Sequence, residues 1–486
     1  MKRAKEEEGS ISMDRISSLP KEILQRILYL LTQEEATGTS ILSKSWRHVW
    51  RTRPNLVLSD ADYFKDKGQE FLSVVDETLQ GYLDQGVCLE EIHLCMSNHV
   101  SVPLLEKWIP RLEPMGVHDF RLYVISRREV GEIVDIPVVF EAEPLTLLFV
   151  FNCDLGRNVP ENIRFVRLQV LHLKNVVIEQ EIFDKIASSC GSLTDMWFEE
   201  CKGLTNIKLD NELHKNLKNF TFINHIAYSK DECMIEVGAP SLEMVKIYGS
   251  RIRFLGHEFC NLKSLCIANA VLSSDLVEES QVFFIDAPNM EVYEYTGPVI
   301  PYVSFAPTSG KSTLRLYMRD DDAEDAQSWF LRLSKLLQGL RKSEICLKIF
   351  HLARFDLRIE EGILMRDAIS GGNKPVVVEN FILEINHFSA FPFVLNGLFC
   401  ICRPKNVTPH RSCYKETELE ELSEFFRKIK KMIDSGNREI WRDLEGLTVE
   451  RFNRVQQEWQ PVINVAKLPE SMFKEFRVRL KWSDRD

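Results

Sequence analysis

From Ser17 to Leu31 the chain reads SSLPKEILQRILYLL, a polar entry followed by apolar residues at helical spacing. Ile23, Leu24, Ile27, Leu28 and Leu31 recur at i, i+1, i+4, i+5 and i+8, a wide apolar stripe, with Lys21, Glu22, Gln25 and Arg26 on the other side. Pro20 suits the first helical position, where its missing N–H costs nothing. Thr32 with Glu35 three residues on forms a capping box, which starts a second helix, and Gly38 is expected to break that helix early. A third helix, about 40–50, carries Ile41, Leu42, Trp46, Val49 and Trp50. Three helices in so short a stretch cannot enclose all of this apolar surface among themselves. Part of it must face the rest of the chain or another protein.

The pattern then changes period. L-x-x-L-x-L recurs at Leu89, Val117, Leu145, Leu168, Leu193, Leu217, Leu242, Leu262 and Met290. From Leu145 the starts lie 23, 25, 24, 25, 20 and 28 residues apart, inside the roughly 20–29-residue range of leucine-rich repeats. The longer signature asks for Asn or Cys at the ninth position, which Cys153 and Cys201 supply. Most other units miss it, so irregular turns are expected. Each unit supplies one short strand and cannot bury its apolar positions without neighbours. The expected result is an arc of parallel strands on a concave face, with loops or short helices outside. FLSVVDETLQGYL, whose Phe71, Val74, Val75, Leu79, Tyr82 and Leu83 share a side, reads as a helix capping the first repeat.

Residues between the leucines point outward on that face. They include His172, Lys174, Trp197, Glu199, Thr221, Lys246 and Tyr248, and exposed aromatics beside charges are typical of recognition surfaces. Phe149 and Phe151 hold equivalent positions. LTLLFVF is apolar on both faces, however, so that strand is expected to be covered on both sides. Beyond the repeats, DDAEDAQSWFLRLSKLLQGL and ETELEELSEFFRKIKKMIDSG read as helices. EICLKIF, VVVENFILEI, LEGLTVERF and FKEFRVRLKW read as strands.

Composition adds limits. The 486 residues are too many for one core, and the net charge of −11 argues against nonspecific nucleic-acid binding. No apolar run approaches the roughly 18 residues that span a bilayer, and MKRAKEEEGS lacks the apolar core of a signal peptide. A cytoplasmic or nuclear location with 12 reduced cysteines follows as an expectation.

Candidate chemistry is sparse. TSGKST lacks the first glycine of a phosphate loop, with Phe305 in its place. HEFCN has Asn261 where a zincin needs histidine, and the aspartates at 320–322 lack the alternation of a calcium loop. Cys400, Cys402, His410 and Cys413 could hold zinc, but Cys-x-Cys on a strand reads better as two small apolar residues facing alternate sides. No catalytic set, metal site or cofactor is expected.

DRISSLPKEILQRILYLL followed by TSILSKSWRHVW resembles an F-box of the form found in plant proteins, over Asp14 to Pro54. Gly38 stands where such sequences often carry a basic residue. The repeats behind it resemble plant proteins that join an F-box to leucine-rich repeats, and the C-terminal stretch resembles their tails. The resemblance implies an α/β chain: a tail at 1–13, a three-helix F-box at 14–54 and a helical linker and cap at 55–88. An irregular repeat solenoid follows at 89–395 and an α/β cap at 396–486. It implies that the apolar flank binds a Skp-type adaptor, and through it a cullin, by Leu19, Pro20, Ile23, Leu24, Ile27, Leu28, Leu31, Leu42 and Trp46. Trp46 serves equally well as the core of the three helices. The function implied is a non-catalytic substrate receptor of a ubiquitin ligase whose repeats bind a target protein, with no role for nucleic acid or membrane. A non-degradative scaffold or a ligand-sensing receptor using the same repeats is the alternative.

Overall fold

The structure, a computed structural model, describes residues 16, 19–31, 33–60, 68–96, 101–125, 134–156, 160–225, 233–256, 258–268, 271–272, 283–297, 300, 303–305, 310–318, 326–351, 374–385, 397–409, 443–461 and 476–483. The chain divides into two compact units, Met1–Leu204 and Thr205–Asp486. No helix among the described residues is long and apolar enough to cross a membrane.

The first unit opens with helices α1 (Lys21–Tyr29), α2 (Gln33–Thr39) and α3 (Lys44–Arg51). Pro20 is the residue just ahead of α1 rather than its first turn, and its carbonyl accepts from the amides of Ile23 and Leu24. Thr32, half of the expected capping box, lies outside the described residues. Gly38 does not break α2. The helix runs through it to Thr39, and nothing lies within 4 Å of where a Gly38 Cβ would stand. The third helix starts later than its apolar spacing implied, because the Ser43 side chain caps it by accepting from the Trp46 amide at 3.2 Å. Leu24, Leu28, Ala36, Trp46 and Val49 close a core, with Ile27, Leu31 and Trp50 packed against it.

A sheet of parallel strands follows in chain order: Asn55–Ser59, Glu91–Met96, Asp119–Val124, Leu147–Phe151, Val170–Lys174 and Asp195–Glu199. Apart from the first, each strand begins two residues after a repeat start, and Leu89, Val117, Leu145, Leu168 and Leu193 are buried. The linker expected at 55–88 therefore begins with a strand of this sheet. Its helix, Gly68–Gln85, buries Phe71, Val75, Leu79 and Tyr82 but leaves Val74 exposed. Gln25 donates to the Thr52 carbonyl at 2.6 Å, the Tyr82 hydroxyl donates to the Arg53 carbonyl at 3.0 Å and the Tyr29 hydroxyl donates to Glu91 at 3.2 Å. The first bond ties α1 to the end of α3, the second ties the module to the helix Gly68–Gln85, and the third ties it to the strand Glu91–Met96.

In the second unit Asn219–Ile223, Met244–Tyr248, Ser264–Ala268, Val292–Gly297, Lys311–Met318, Glu344–His351, Val376–Ile385 and Cys402–Pro409 are parallel in chain order. The parallel run thus extends past residue 395. It ends where Phe476–Trp482 joins Cys402–Pro409 antiparallel and Leu444–Asn453 joins in turn. Several return segments, expected as loops or helices, form a second parallel ladder: Asn206–Leu209, Met234–Val237, Arg251–Phe254 and Val271–Leu272. Alternation explains this, since Ile207, Leu209, Ile252 and Phe254 are buried at every second residue, as are Ile235 and Val237, between which Glu236 is covered too and pairs with Arg253. Helices occur as expected at Gln180–Ser189, in the first unit, and Ala326–Gly339. The helix read at 416–436, together with His410, Cys413 and the aspartates at 320–322, lies outside the described residues.

The turns are more regular than the ninth position implied. One residue earlier, Asn152, Asn175, Glu200 and Gly249 adopt positive φ of 61°, 51°, 54° and 69°. The amides of Asn152, Asn175, Asn224 and Gly249 each donate to the last strand residue of the next repeat, at 2.7–3.0 Å. The Asn175 amide side chain donates to that of Asn152 at 2.6 Å, and Asn152 donates to the Val124 carbonyl at 2.9 Å. A Cβ on Gly249 would meet the Asn224 carbonyl oxygen of the preceding turn at 1.9 Å. Gly249→Ala is therefore expected to destabilise the second unit by about 1–3 kcal/mol, measured by chemical denaturation. An unchanged midpoint would refute this account of the turn.

Candidate functional site

The three-helix module has a closed side and an open side. Of the residues expected at an adaptor surface, Leu24, Leu28 and Trp46 belong to the module's own core. Trp46 is buried because α3 turns its indole inward against α1. Ile27 and Leu31 pack half-buried on that core. Leu19, Pro20, Ile23 and Leu42 remain exposed, Ile23 at 45% and Leu42 at 65%. Ile41 at 81% and Leu30 at 80% join them. The described later part of the unit leaves these side chains exposed. The bonds from Gln25 and Tyr29 leave on the polar side of α1.

The sheet of the first unit has a second open surface. Its inward residues are leucines and their equivalents. The alternate positions form rows across the strands, set by the register. One row runs His93, Arg121, Phe149, His172, Trp197, and the next runs Cys95, Tyr123, Phe151, Lys174, Glu199. The rings touch in sequence. Tyr123 and Phe149 have centroids 4.6 Å apart, Phe149 and His172 4.5 Å, and His172 and Trp197 5.0 Å. Four adjacent strands thus carry one continuous aromatic platform. Phe149 and Phe151 are half-exposed rather than covered on both faces, because neighbouring rings, not another layer, pack beside them.

Charge on this surface is internally neutralised. Arg121 donates to both oxygens of Asp119 at 2.9 and 2.8 Å, and Lys174 lies 2.8 Å from Glu199. His93 lies 2.5 Å from Glu91 and, with Arg121, holds that carboxyl below its usual range. Burial alone would raise Glu199, but the hydrogen bond and charge of Lys174 outweigh it. Burial pushes His172 down to about 4, so its ring is neutral at physiological pH, and its buried Nε2 has no hydrogen-bond partner among the described residues. Glu91, His93 and Asp119 bring ligand-type atoms within 4.8 Å of one another. The Arg121 guanidinium faces both carboxylates, 3.7 Å from Glu91 and 2.8 Å from Asp119, and pairs with them.

The expected second-unit residues behave differently. Lys246 is exposed and Tyr248 half-buried, its ring 4.8 Å from that of His225. Thr221 is buried, at 2%, because Phe220, Thr221 and Phe222 are all covered and the middle of that strand is closed on both faces. Sequence reasoning missed Glu91, His93, Asp119, Arg121 and Tyr123. Their signal was present: His93 and Arg121 occupy the position of His172 and Trp197, and Tyr123 that of Lys174 and Glu199, two to four repeats earlier, while Glu91 and Asp119 head the same strands on the same face.

Comparison with known proteins follows the same division. The F-box domain family model matches residues 16–58, and the model described as At1g61320/AtMIF1, LRR domain, matches residues 78–300. The F-box/LRR-repeat protein At5g41840 of Arabidopsis thaliana is 25% identical over 363 residues, covering 71% of this chain and 61% of the relative. The FBD-associated F-box protein At5g56370 of the same plant is 32% identical over 183 residues, covering 37% and 41%. The F-box/FBD/LRR-repeat protein At2g05300, also from Arabidopsis thaliana, is 30% identical over 238 residues, covering 48% and 51%. The chain thus spans about half the length of these relatives. With a three-helix F-box at its front and a parallel repeat ladder behind it, the chain is a plant-type F-box protein with leucine-rich repeats.

Proposed function

We propose that the protein is a substrate-recognition subunit of a cullin-based ubiquitin ligase, with the F-box gripping a Skp-type adaptor and the repeats gripping a target protein. One observation carries the reading: the F-box completes its own core around Trp46 and still leaves Leu19, Ile23, Ile41 and Leu42 in solvent. Exposed large apolar residues on a small folded module fit an interface rather than a folding defect. The adaptor contacts are then Leu19, Pro20, Ile23 and Leu42, with Ile27 and Leu31 at the margin. Leu24, Leu28 and Trp46 support the surface from behind.

The mechanism needs no reacting group in this chain. Holding a target and the ligase on one polypeptide raises their effective concentration, so that target lysines meet the charged ubiquitin-carrying enzyme repeatedly. The aromatic platform of the first unit is the favoured target contact. Its rings offer large area at low entropy cost, and its paired charges neither demand nor repel a strongly charged partner. The ligand-receptor alternative finds less support. The described pocket in the first unit is lined by Leu58, Val75, Leu79, Ile92, Trp108 and other apolar side chains, with no polar group to orient a ligand.

Two outcomes are expected. Ile23→Asp combined with Leu42→Asp weakens adaptor binding by about 2–4 kcal/mol, measured by calorimetry, with an unchanged melting profile. Trp46→Ala instead lowers stability by about 3–5 kcal/mol, and with it all binding. Full binding by the first variant would remove the ligase assignment. Phe149→Ala with Trp197→Ala leaves adaptor binding intact and reduces the proteins recovered by proximity labelling while ligation is blocked. An unaltered set would move the target site elsewhere.

A further inference from the structure

The rings on the first unit's sheet are grouped as well as adjacent. They fall into two tilted stacks, Tyr123 on Phe149 at 31° and His172 on Trp197 at 35°. The stacks meet edge to face, at 78°, where Phe149 meets His172. All four rings are half-buried, on strands whose alternate residues Leu122, Leu148, Leu171 and Phe198 close the core beneath them. The register puts Phe149 and Trp197 in one row, two strands apart, with His172 between them. At the spacing of neighbouring strands these two rings are rooted about 9.6 Å apart. Phe151, in the next row, lies 6.5 Å from Tyr123 and broadens the first stack.

That interval selects among the forms a bound segment can take. A polyproline II helix turns once in three residues and rises about 3.1 Å per residue, so one edge of it returns about every 9.3 Å. Its residues i and i+3 therefore fall in step with the two stacks. An extended strand returns a side chain to the same side about every 6.7 Å, which matches neither one strand spacing nor two. An α-helix advances about 5.4 Å per turn against about 4.8 Å per strand and drifts by about 2 Å across four strands. The chemistry agrees with the spacing. Proline is a compact, uncharged ring, and proline-rich segments dock on aromatic-lined surfaces because their extended form is already set before binding. Arg121 is held by Asp119 and Lys174 by Glu199, each at 2.8 Å, so the cations beside the rings are balanced without a charged partner. A polyproline II backbone makes no hydrogen bonds to itself, and its carbonyls take donors from the surface it lies on. The Lys174 ammonium, one row from His172 and Trp197, carries hydrogens beyond the one that faces Glu199 and can give one to such a carbonyl.

We propose that this platform docks a Pro-x-x-Pro segment of the target protein, laid across the strands in the polyproline II form with one proline on the Tyr123–Phe149 stack and the next on the His172–Trp197 stack. The inference deepens the reading of the platform as the target contact and rests on it.

The test uses full-length protein and a fluorescein-labelled peptide with proline at every third position and Ala or Ser between, with binding read by anisotropy. Binding is expected, and raising the salt concentration should leave it nearly unchanged, since no ion pair forms. Replacing each proline by alanine, or moving the prolines to every second position, is expected to weaken it about tenfold or more. Phe149→Leu/Trp197→Leu keeps apolar area without rings and is expected to lose about tenfold or more, while Phe149→Tyr/Trp197→Tyr keeps the rings and the binding. No binding by the parent protein, equal binding of the alanine peptide, or full binding by the leucine pair each overturns the proposal. Equal binding of the peptide with proline at every second position overturns the spacing on which it stands. The peptide comparisons use the parent protein alone and hold even where the leucine pair fails to fold. Should the parent leave the peptide free while Phe149→Ala with Trp197→Ala still alters the labelled proteins, the proline assignment falls and the platform remains the target contact. Should neither respond, both fall.

Discussion

The structure depends on one constraint: a single repeat cannot bury its own leucines. A lone strand of five residues with one apolar face is not stable in water, so each repeat exists only because the next one covers it. The turn after each strand shows how the covering is enforced. There the eighth residue of a repeat adopts a left-handed or otherwise tight conformation and gives its amide to the following strand. Gly249 is required where the preceding turn approaches within a Cβ's reach, and the Asn152–Asn175 side-chain bond performs the same link where there is room. Once spacing and turn are fixed, the alternate positions are left facing outward and become available for recognition.

This is why so much of the fold was legible in the sequence. The period-two apolar positions and the 20–28-residue spacing are direct consequences of the constraint, and strands begin two residues after starts such as Leu145 and Leu242. What was not legible came from contacts between repeats. The left-handed turn sits at Asn152 and Asn175 rather than at the ninth position, and one sequence does not reveal which polar residue has a carbonyl one repeat away. Asn55–Ser59 escaped notice because NLVLS lacks the leading leucine of a repeat, yet it pairs in full register with Glu91–Met96. The platform was half-read. His172 and Trp197 stood out as exposed aromatics, while Phe149 and Phe151 looked like a buried strand, because hydrophobicity alone does not distinguish a covered ring from a ring packed beside other rings.

The F-box illustrates the same ambiguity at helical period. Its stripe of Ile and Leu is wider than one contact needs, and the stripe has two uses. Leu24 and Leu28 face α3, where Trp46 and Val49 fill the space. Ile23, one residue from Leu24, is turned by about 100° and lies in solvent. A pattern read from sequence merges these positions, since both are apolar and adjacent. Only the packing of α3, fixed by the Ser43 cap, divides them into support and surface.

The division between inner and outer positions also decides what relatives can teach. At 25–32% identity, the residues a repeat protein must share are those that close the core and make the turns. The outward positions carry no such obligation, so an aromatic platform with ion pairs beside it can arise on this scaffold. The buried thiols belong to the inner class: burial pushes Cys153, Cys190, Cys201 and Cys233 up to about 12, which leaves them packing groups rather than nucleophiles. Kinship therefore carries across the fold and the F-box. Outward side chains such as Tyr123, Phe149, His172 and Trp197 are ones the fold leaves free to differ.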